Sequence, residues 1–155
     1  MKGLAADAGR ERDGFEIARK AVDPTGAWGQ NTNGRVMALA SAILEARTAA
    51  TTAASLPAWK RDVEMSDAFI YDEPPAWYYP VRESLGAATL RAGDAAGAEA
   101  VFHEGLRRSP NNGRMLFGLL ESLKAQRKNA AVKEVQREFG RAWAGADLPL
   151  RLSDL

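Results

Sequence analysis

Residues 79–112 read YPVRESLGAATLRAGDAAGAEAVFHEGLRRSPNN. Two runs of helix-forming residues, about Pro80–Ala92 and Ala95–Ser109, are separated by Gly93-Asp94 and closed by Pro110-Asn111-Asn112. Asp94 can accept a bond from the free amides of the helix that follows it. The same organisation continues downstream. Helices are predicted at about Gly113–Gln126 and Ala130–Ala144, with Arg127-Lys128-Asn129 between them and Asn129 as the next cap. A 34-residue period links the two halves: Leu85 recurs as Leu119, Ala98 as Val132 and Thr89 as Leu123, while Leu90 falls on Lys124.

Upstream the chain is also helical. Arg35–Ala50 is rich in Ala, Leu, Met and Glu and reads as one helix. The threonine-rich Thr51–Ser55 leads to a second helix from about Leu56 to Ala68, with Pro57 in its first turn and Trp59, Val63 and Met65 facing inward. Phe15, Ile17, Ala18, Ala21 and Val22 recur with helical spacing until Asp23-Pro24 stops the run. Thr25–Gly34 carries three glycines and three side-chain amides, so it reads as a loop with Trp28 as its apolar anchor. Residues 1–14, small and charged, are expected to be mobile ahead of a helical domain at 15–155. Pro74 and Pro75 forbid a regular helix through Phe69–Tyr78. Leu148, Leu150 and Leu152 alternate, but Pro149 interrupts them, and no strand is predicted. The fold class is all-α.

Composition removes much chemistry. The chain has 155 residues, enough for about one domain with a self-sufficient core. With no cysteine there is no disulfide, thiolate metal site or cysteine nucleophile, and a single histidine cannot supply a two-histidine metal site. Twenty-one basic against twenty acidic residues give a net charge of +1, without the basic excess of a duplex-DNA binder. No secretory leader and no apolar run long enough for a membrane span is visible, so a cytoplasmic location is expected, with neither nucleic acid nor membrane as partner.

With Leu85, Gly86, Gly93, Asp94, Ala98, Phe102, Leu106, Pro110, Asn111 and Asn112 in place, residues 79–112 resemble a tetratricopeptide repeat. The resemblance implies antiparallel helical hairpins, at about 35–68, 79–112 and 113–144, stacked as a short right-handed solenoid with a tail at 145–155. It implies that small Gly86 and Ala98 sit where the two helices cross and that Phe102 fills the space they leave. Gly105 and Thr89 depart from the pattern. The second repeat departs further, with Leu120, Arg127 and Gln136 at positions usually held by glycine, glycine and an aromatic. Together with Tyr71-Asp72-Glu73-Pro74-Pro75-Ala76-Trp77, the span is similar to the C-terminal part of larger bacterial tetratricopeptide-repeat proteins, whose earlier repeats have no counterpart here. Terminal hairpins of such stacks need capping, and Leu148–Leu155 is the candidate cap.

Two groups of candidate site residues emerge. The first is the acidic–aromatic loop: Tyr71, Asp72, Glu73, Trp77 and Tyr78, pinned by prolines, with Arg82 following. Carboxylates beside aromatic faces suit a cation, an amine or a basic peptide. The competing reading is that the rings seal a joint between hairpins while a carboxylate pairs with Arg82 or caps a helix. The second group is implied by the resemblance, which places first helices on a concave surface: Glu83, Ala87, Leu90 and Arg91, then Arg114, Phe117, Glu121 and Lys124. His103 has no nucleophile beside it in any recognisable motif and is expected to point away from the crossing helix, towards solvent or the next hairpin. Lys124, Arg127, Lys128 and Lys133 are interleaved with glutamates and read as a salt-bridged surface.

These readings lead to a non-enzymatic module that binds a protein or peptide on its concave face, with no metal or cofactor. The alternative is the C-terminal portion of a larger ligand-binding or enzymatic bacterial protein, in which the Tyr71–Tyr78 loop completes a small-molecule or metal pocket. A structural subunit that forms homo-oligomers through its terminal hairpins is a third class.

Overall fold

The computed structural model describes residues 2–155, with side chains from residue 7. The described chain is mostly helical, and consecutive helices pack on one another. The chain divides into two compact units, Met1–Pro80 and Val81–Leu155. The division falls after the proline-containing stretch that carries no helix. No described helix is long and apolar enough to cross a membrane.

The first unit holds α1 (Lys2–Lys20), α2 (Asn33–Thr48) and α3 (Thr52–Asp67). Helical backbone thus runs through the segment expected to lie mobile ahead of the domain. Ion pairs one turn apart, Arg10 with Asp7 at the surface and Arg19 with Glu16 half-buried, support it locally. Ser41 of α2 donates to Glu16, tying α1 to its neighbour. Ile17 nevertheless stays exposed, so the apolar spacing of α1 does not build core. Inside the glycine-rich loop two short strands, β1 (Ala27–Trp28) and β2 (Asn31–Thr32), form an antiparallel hairpin. No alternation of side chains announces two-residue strands in the sequence. Trp28 is exposed rather than an anchor. Thr32 and Thr51 cap α2 and α3, accepting from the Arg35 and Ala54 amides. The Thr51 cap starts α3 one turn early, so Pro57 lies inside the helix instead of in its first turn. Val36, Leu39, Ile43 and Ala46 of α2 face Trp59 and Val63 of α3 as core, and Met65 is half-buried.

One buried group breaks the apolar pattern. Asp62 of α3 is fully buried, and neither carboxylate oxygen has a hydrogen-bond donor among the described residues. Burial pushes its carboxyl up to about 6; the Arg61 guanidinium, 3.9 Å away, works against that and Glu45 adds to it.

The second unit holds α4 (Arg82–Arg91), α5 (Ala95–Arg108), α6 (Gly113–Ala125) and α7 (Asn129–Ala142), each packed on the next, then a 3-10 turn at Leu152–Asp154. Asp94 caps α5 by accepting from the Gly97 amide at 2.8 Å, and Asn112 caps α6 from the Met115 amide at 3.0 Å. The position before α7 is Lys128, without a side-chain cap; Asn129, expected as the cap, is already the first helical residue. Arg127, where the repeat pattern has a glycine, sits at φ 59. The turn therefore keeps its left-handed backbone without the residue that adopts it most cheaply.

Phe102 is the centre of this unit. Its ring is fully buried between Gly86 of α4 and Gly118 of α6. A Cβ on Gly86 would come within 2.5 Å of the ring, and one on Gly118 within 2.1 Å. The small residues at 86 and 98 are as the sequence suggests, while the matching role of Gly118 is not announced by the period. Phe139 stacks on Trp143 at 6.0 Å and meets Phe117 at 5.8 Å, closing α7 onto α6.

Phe102→Ala should cost about 3–5 kcal/mol in chemical denaturation, because the cavity lies where two helices cannot collapse. Gly118→Ala, an overpacking change at the same ring, should cost about 1–3 kcal/mol. A loss under about 1 kcal/mol for the alanine at 102 would mean the crossing is not built on that ring. Asp62 gives a pH signature. Between about pH 4, where the unfolded carboxyl titrates, and its folded value the native state keeps a proton that the unfolded chain has lost. Stability contributed by Asp62 therefore falls as pH rises through that window and levels off above it. Asp62→Asn should flatten the slope and raise stability above pH 7 by about 1–3 kcal/mol, read from urea midpoints at several pH values.

Candidate functional site

The acidic–aromatic loop is held by the hairpin before α2. Asn31, buried on β2, clasps the backbone of Ile70 with both ends of its amide: Nδ2 donates to the carbonyl at 2.9 Å and Oδ1 accepts from the amide at 3.0 Å. Arg35 donates to the Ala68 carbonyl at 2.6 Å. At the hairpin tip the Gln30 amide donates to Asp72 Oδ2 at 2.8 Å. Gly29 makes this approach possible. Its φ is +58, and a Cβ there would lie 1.5 Å from the Asp72 carboxylate. Asp72 Oδ1 also accepts from the Glu73 amide, and Tyr71 donates its hydroxyl to Glu73. That bond, above all, raises the Tyr71 hydroxyl from its ordinary pKa.

These contacts frame an open cleft of about 450 Å³, lined by Trp28, Met37, Asp72, Glu73, Trp77 and Tyr78 together with the loop prolines. Tyr71 and Tyr78 are 77% and 80% exposed. The Trp77 and Tyr78 rings lie 5.4 Å apart, tilted by 43°, and Tyr79 lies 4.8 Å from Tyr78. Tyr79 already holds a cation: the Arg47 guanidinium carbon sits 5.7 Å over its ring. The Trp77 indole N–H is buried without an acceptor among the described residues, so packing alone orients that ring.

The second group gathers around Glu83 of α4, which is 1% exposed. Arg114 of α6 donates to one oxygen and the Asn112 side chain to the other, the latter at 3.1 Å. The other end of the Arg114 guanidinium reaches the Asp154 carbonyl. Ser84 donates to the Leu155 carbonyl at 2.7 Å, and Arg91 reaches the Leu152 carbonyl at 3.5 Å. Leu155 is 6% exposed within the core cluster, and Leu152 packs against that cluster. Arg151 and Asp154 close the 3-10 turn on each other. The face nominated as concave, on α4 and α6, therefore carries the chain's own residues 152–155.

The nominated residues fall into these two groups, one in each unit. Asp72 and Glu73 take Gln30 and Tyr71 as partners from their own unit; Arg82 begins α4 in the other. Phe117 packs on Phe139 rather than standing in a groove, and Glu121 pairs with Lys124 at 2.8 Å. Of the cap segment, Leu152 and Leu155 are held while Leu148 is exposed, its carbonyl accepting from the Trp143 indole at 3.1 Å. His103 is exposed, 4.0 Å from Glu99. Lys128 pairs with Glu99 at 2.6 Å, in keeping with a salt-bridged surface. Among the described residues no group of three or more acidic or histidine side chains is arranged to hold a metal ion. Sequence reasoning missed Gly29, Gln30 and Asn31 as supports of the loop, and Ser84 and Asn112 as supports of the tail. The glycine- and amide-rich composition of Thr25–Gly34 was the one available signal for the former. No protein-family model, curated protein or solved structure matches the chain.

Gly29→Ala should destabilise the first unit by about 1–3 kcal/mol, since it strains the left-handed turn and displaces Asp72. Exchange of the Gln30 amide should accelerate by about an order of magnitude or more. Unchanged protection of that amide would show that Asp72 does not hold the hairpin tip.

Proposed function

We propose that this chain is a non-enzymatic protein-interaction module whose Val81–Leu155 unit is a tetratricopeptide-like pair of hairpins, binding a short leucine-bearing segment across α4 and α6. The observation that carries this reading is the way residues 152–155 are held. Ser84, Arg91 and Arg114 donate to backbone carbonyls of the tail, while Leu152 and Leu155 pack three residues apart. Side chains that read a ligand's backbone, with pockets for spaced apolar residues, suit a peptide from any chain presenting that pattern. Repeat stacks leave their first helices on one face, and Gly86 against the Phe102 ring is the small residue that the repeat pattern has at that crossing. The tail is the intramolecular occupant of the face. An external segment competes with a tethered one whose effective concentration is in the millimolar range.

The test uses a labelled peptide spanning residues 148–155. The full-length chain carrying Leu152→Ala and Leu155→Ala has a weakened tail and should bind the peptide about tenfold more tightly than the parent by fluorescence anisotropy. A variant that retains its helical circular dichroism yet binds no peptide would sink the proposal. So would a parent chain that binds it equally well.

A further inference from the structure

The cleft bordered by Trp28, Trp77 and Tyr78 is independent of the tail and points to a ligand of different chemistry. We propose that it binds the quaternary ammonium group of a small choline-type ligand. Three features of the cleft support this. Its wall is aromatic, and aromatic faces attract a cation through their quadrupole. Trp28 is 44% and Tyr78 80% exposed, so both rings present surface to a ligand. Tyr79 of the same aromatic cluster already receives the Arg47 cation, which shows these rings in that role within the structure.

Charge is the second feature. Asp72 and Glu73 both line the cleft, and they are held there by the Gln30 and Glu73 amides and the Tyr71 hydroxyl, all neutral donors. Among the described residues no basic side chain lines the cleft. Two negative charges beside aromatic rings, in a lining without a basic side chain among the described residues, complement a positive ligand.

The third feature selects the type of cation. A primary ammonium is compact and strongly hydrated, and its three donors need acceptors when it leaves water. The cleft's acceptors are concentrated in Asp72 and Glu73, which already take the Gln30 and Glu73 amides and the Tyr71 hydroxyl, while most of the remaining wall is ring and hydrocarbon. Beyond the carboxylates the lining is apolar: Val36, Met37, Pro74, Pro75 and Ala76. A quaternary ammonium has no donors to satisfy and buries methyl groups against such a surface. At about 450 Å³ the cleft falls within the roughly 300–1,000 Å³ of small-ligand sites.

The experiment titrates the full chain with choline, with its neutral isostere 3,3-dimethyl-1-butanol and with ethanolamine, following tryptophan fluorescence and amide shifts. Choline should bind in the millimolar range, about tenfold more tightly than either comparator. Trp28→Ala, at an exposed hairpin position, should weaken choline by about tenfold, and the milder Glu73→Gln by about threefold. Equal affinity for the neutral isostere would overturn the role of charge, and equal affinity for ethanolamine the preference for a methylated cation. No response to choline up to about 0.1 M in the folded parent, or unaltered binding in Trp28→Ala, would overturn the site itself.

Discussion

A carboxylate almost wholly removed from water organises the Val81–Leu155 unit. Glu83 would carry a severe desolvation penalty by itself, and it is tolerated because Arg114 and Asn112 both donate to it. Each partner has a second task. Asn112 accepts from the Met115 amide and so starts α6, and Arg114 continues to the Asp154 carbonyl and so places the tail. The ion pair therefore fixes the join between α4 and α6, the beginning of α6 and the course of residues 152–155 together. Removing one partner of such a pair leaves the other charge buried and uncompensated, which is far costlier than losing a surface bridge. Phe102, seated between Gly86 and Gly118, supplies the apolar counterpart by setting how closely α4 and α6 approach.

The two candidate surfaces differ in kind. On α4 and α6 the donors face backbone carbonyls and the apolar contacts are leucines, so recognition there is of a peptide's main chain and its spacing. In the first unit the carboxylates have no donor to extend, and the exposed groups are rings. What that surface can offer is a field and a set of π faces. The supports are different too. The tail face stands on helices, whereas the aromatic cleft hangs from a four-residue strand pair through Asn31, Gln30 and the absence of a side chain at Gly29.

The helices after α1 were legible because each carries its own evidence, whereas most of α1 lies in a small, charged stretch without a core-facing stripe. The Gly93-Asp94 turn, the Asp94 cap and the Pro110-Asn111-Asn112 stop are local chemistry, and the structure places each within a residue or two of where the sequence puts it. The repeat resemblance located Phe102 and Gly86 but not Gly118, which lies as close to Phe102 in sequence as Gly86 does but at no position that the repeat pattern marks as small. Long-range ties were the least legible. Nothing around Asp72 indicates that its partner is an amide 42 residues earlier, or that Ser84 meets a carbonyl 71 residues later. Asp62 was invisible for a similar reason: it sits on the buried face of α3 without the hydrogen bonds that would make a carboxylate expected there. The tail was read as a cap for the last hairpin. Its leucine spacing conveyed burial, but not that the carbonyls around those leucines would be taken by α4 and α6.

The central claim is that residues 152–155 occupy the α4/α6 face through Arg114 and Ser84. Backbone amide relaxation of the full chain tests it most directly. Order parameters for residues 152–155 should match those of α6, near the rigid value of about 0.85, and in Arg114→Gln they should fall below about 0.6 while α5 and α6 stay rigid. A tail already below about 0.6 in the parent chain, or one equally rigid without Arg114, would contradict the account.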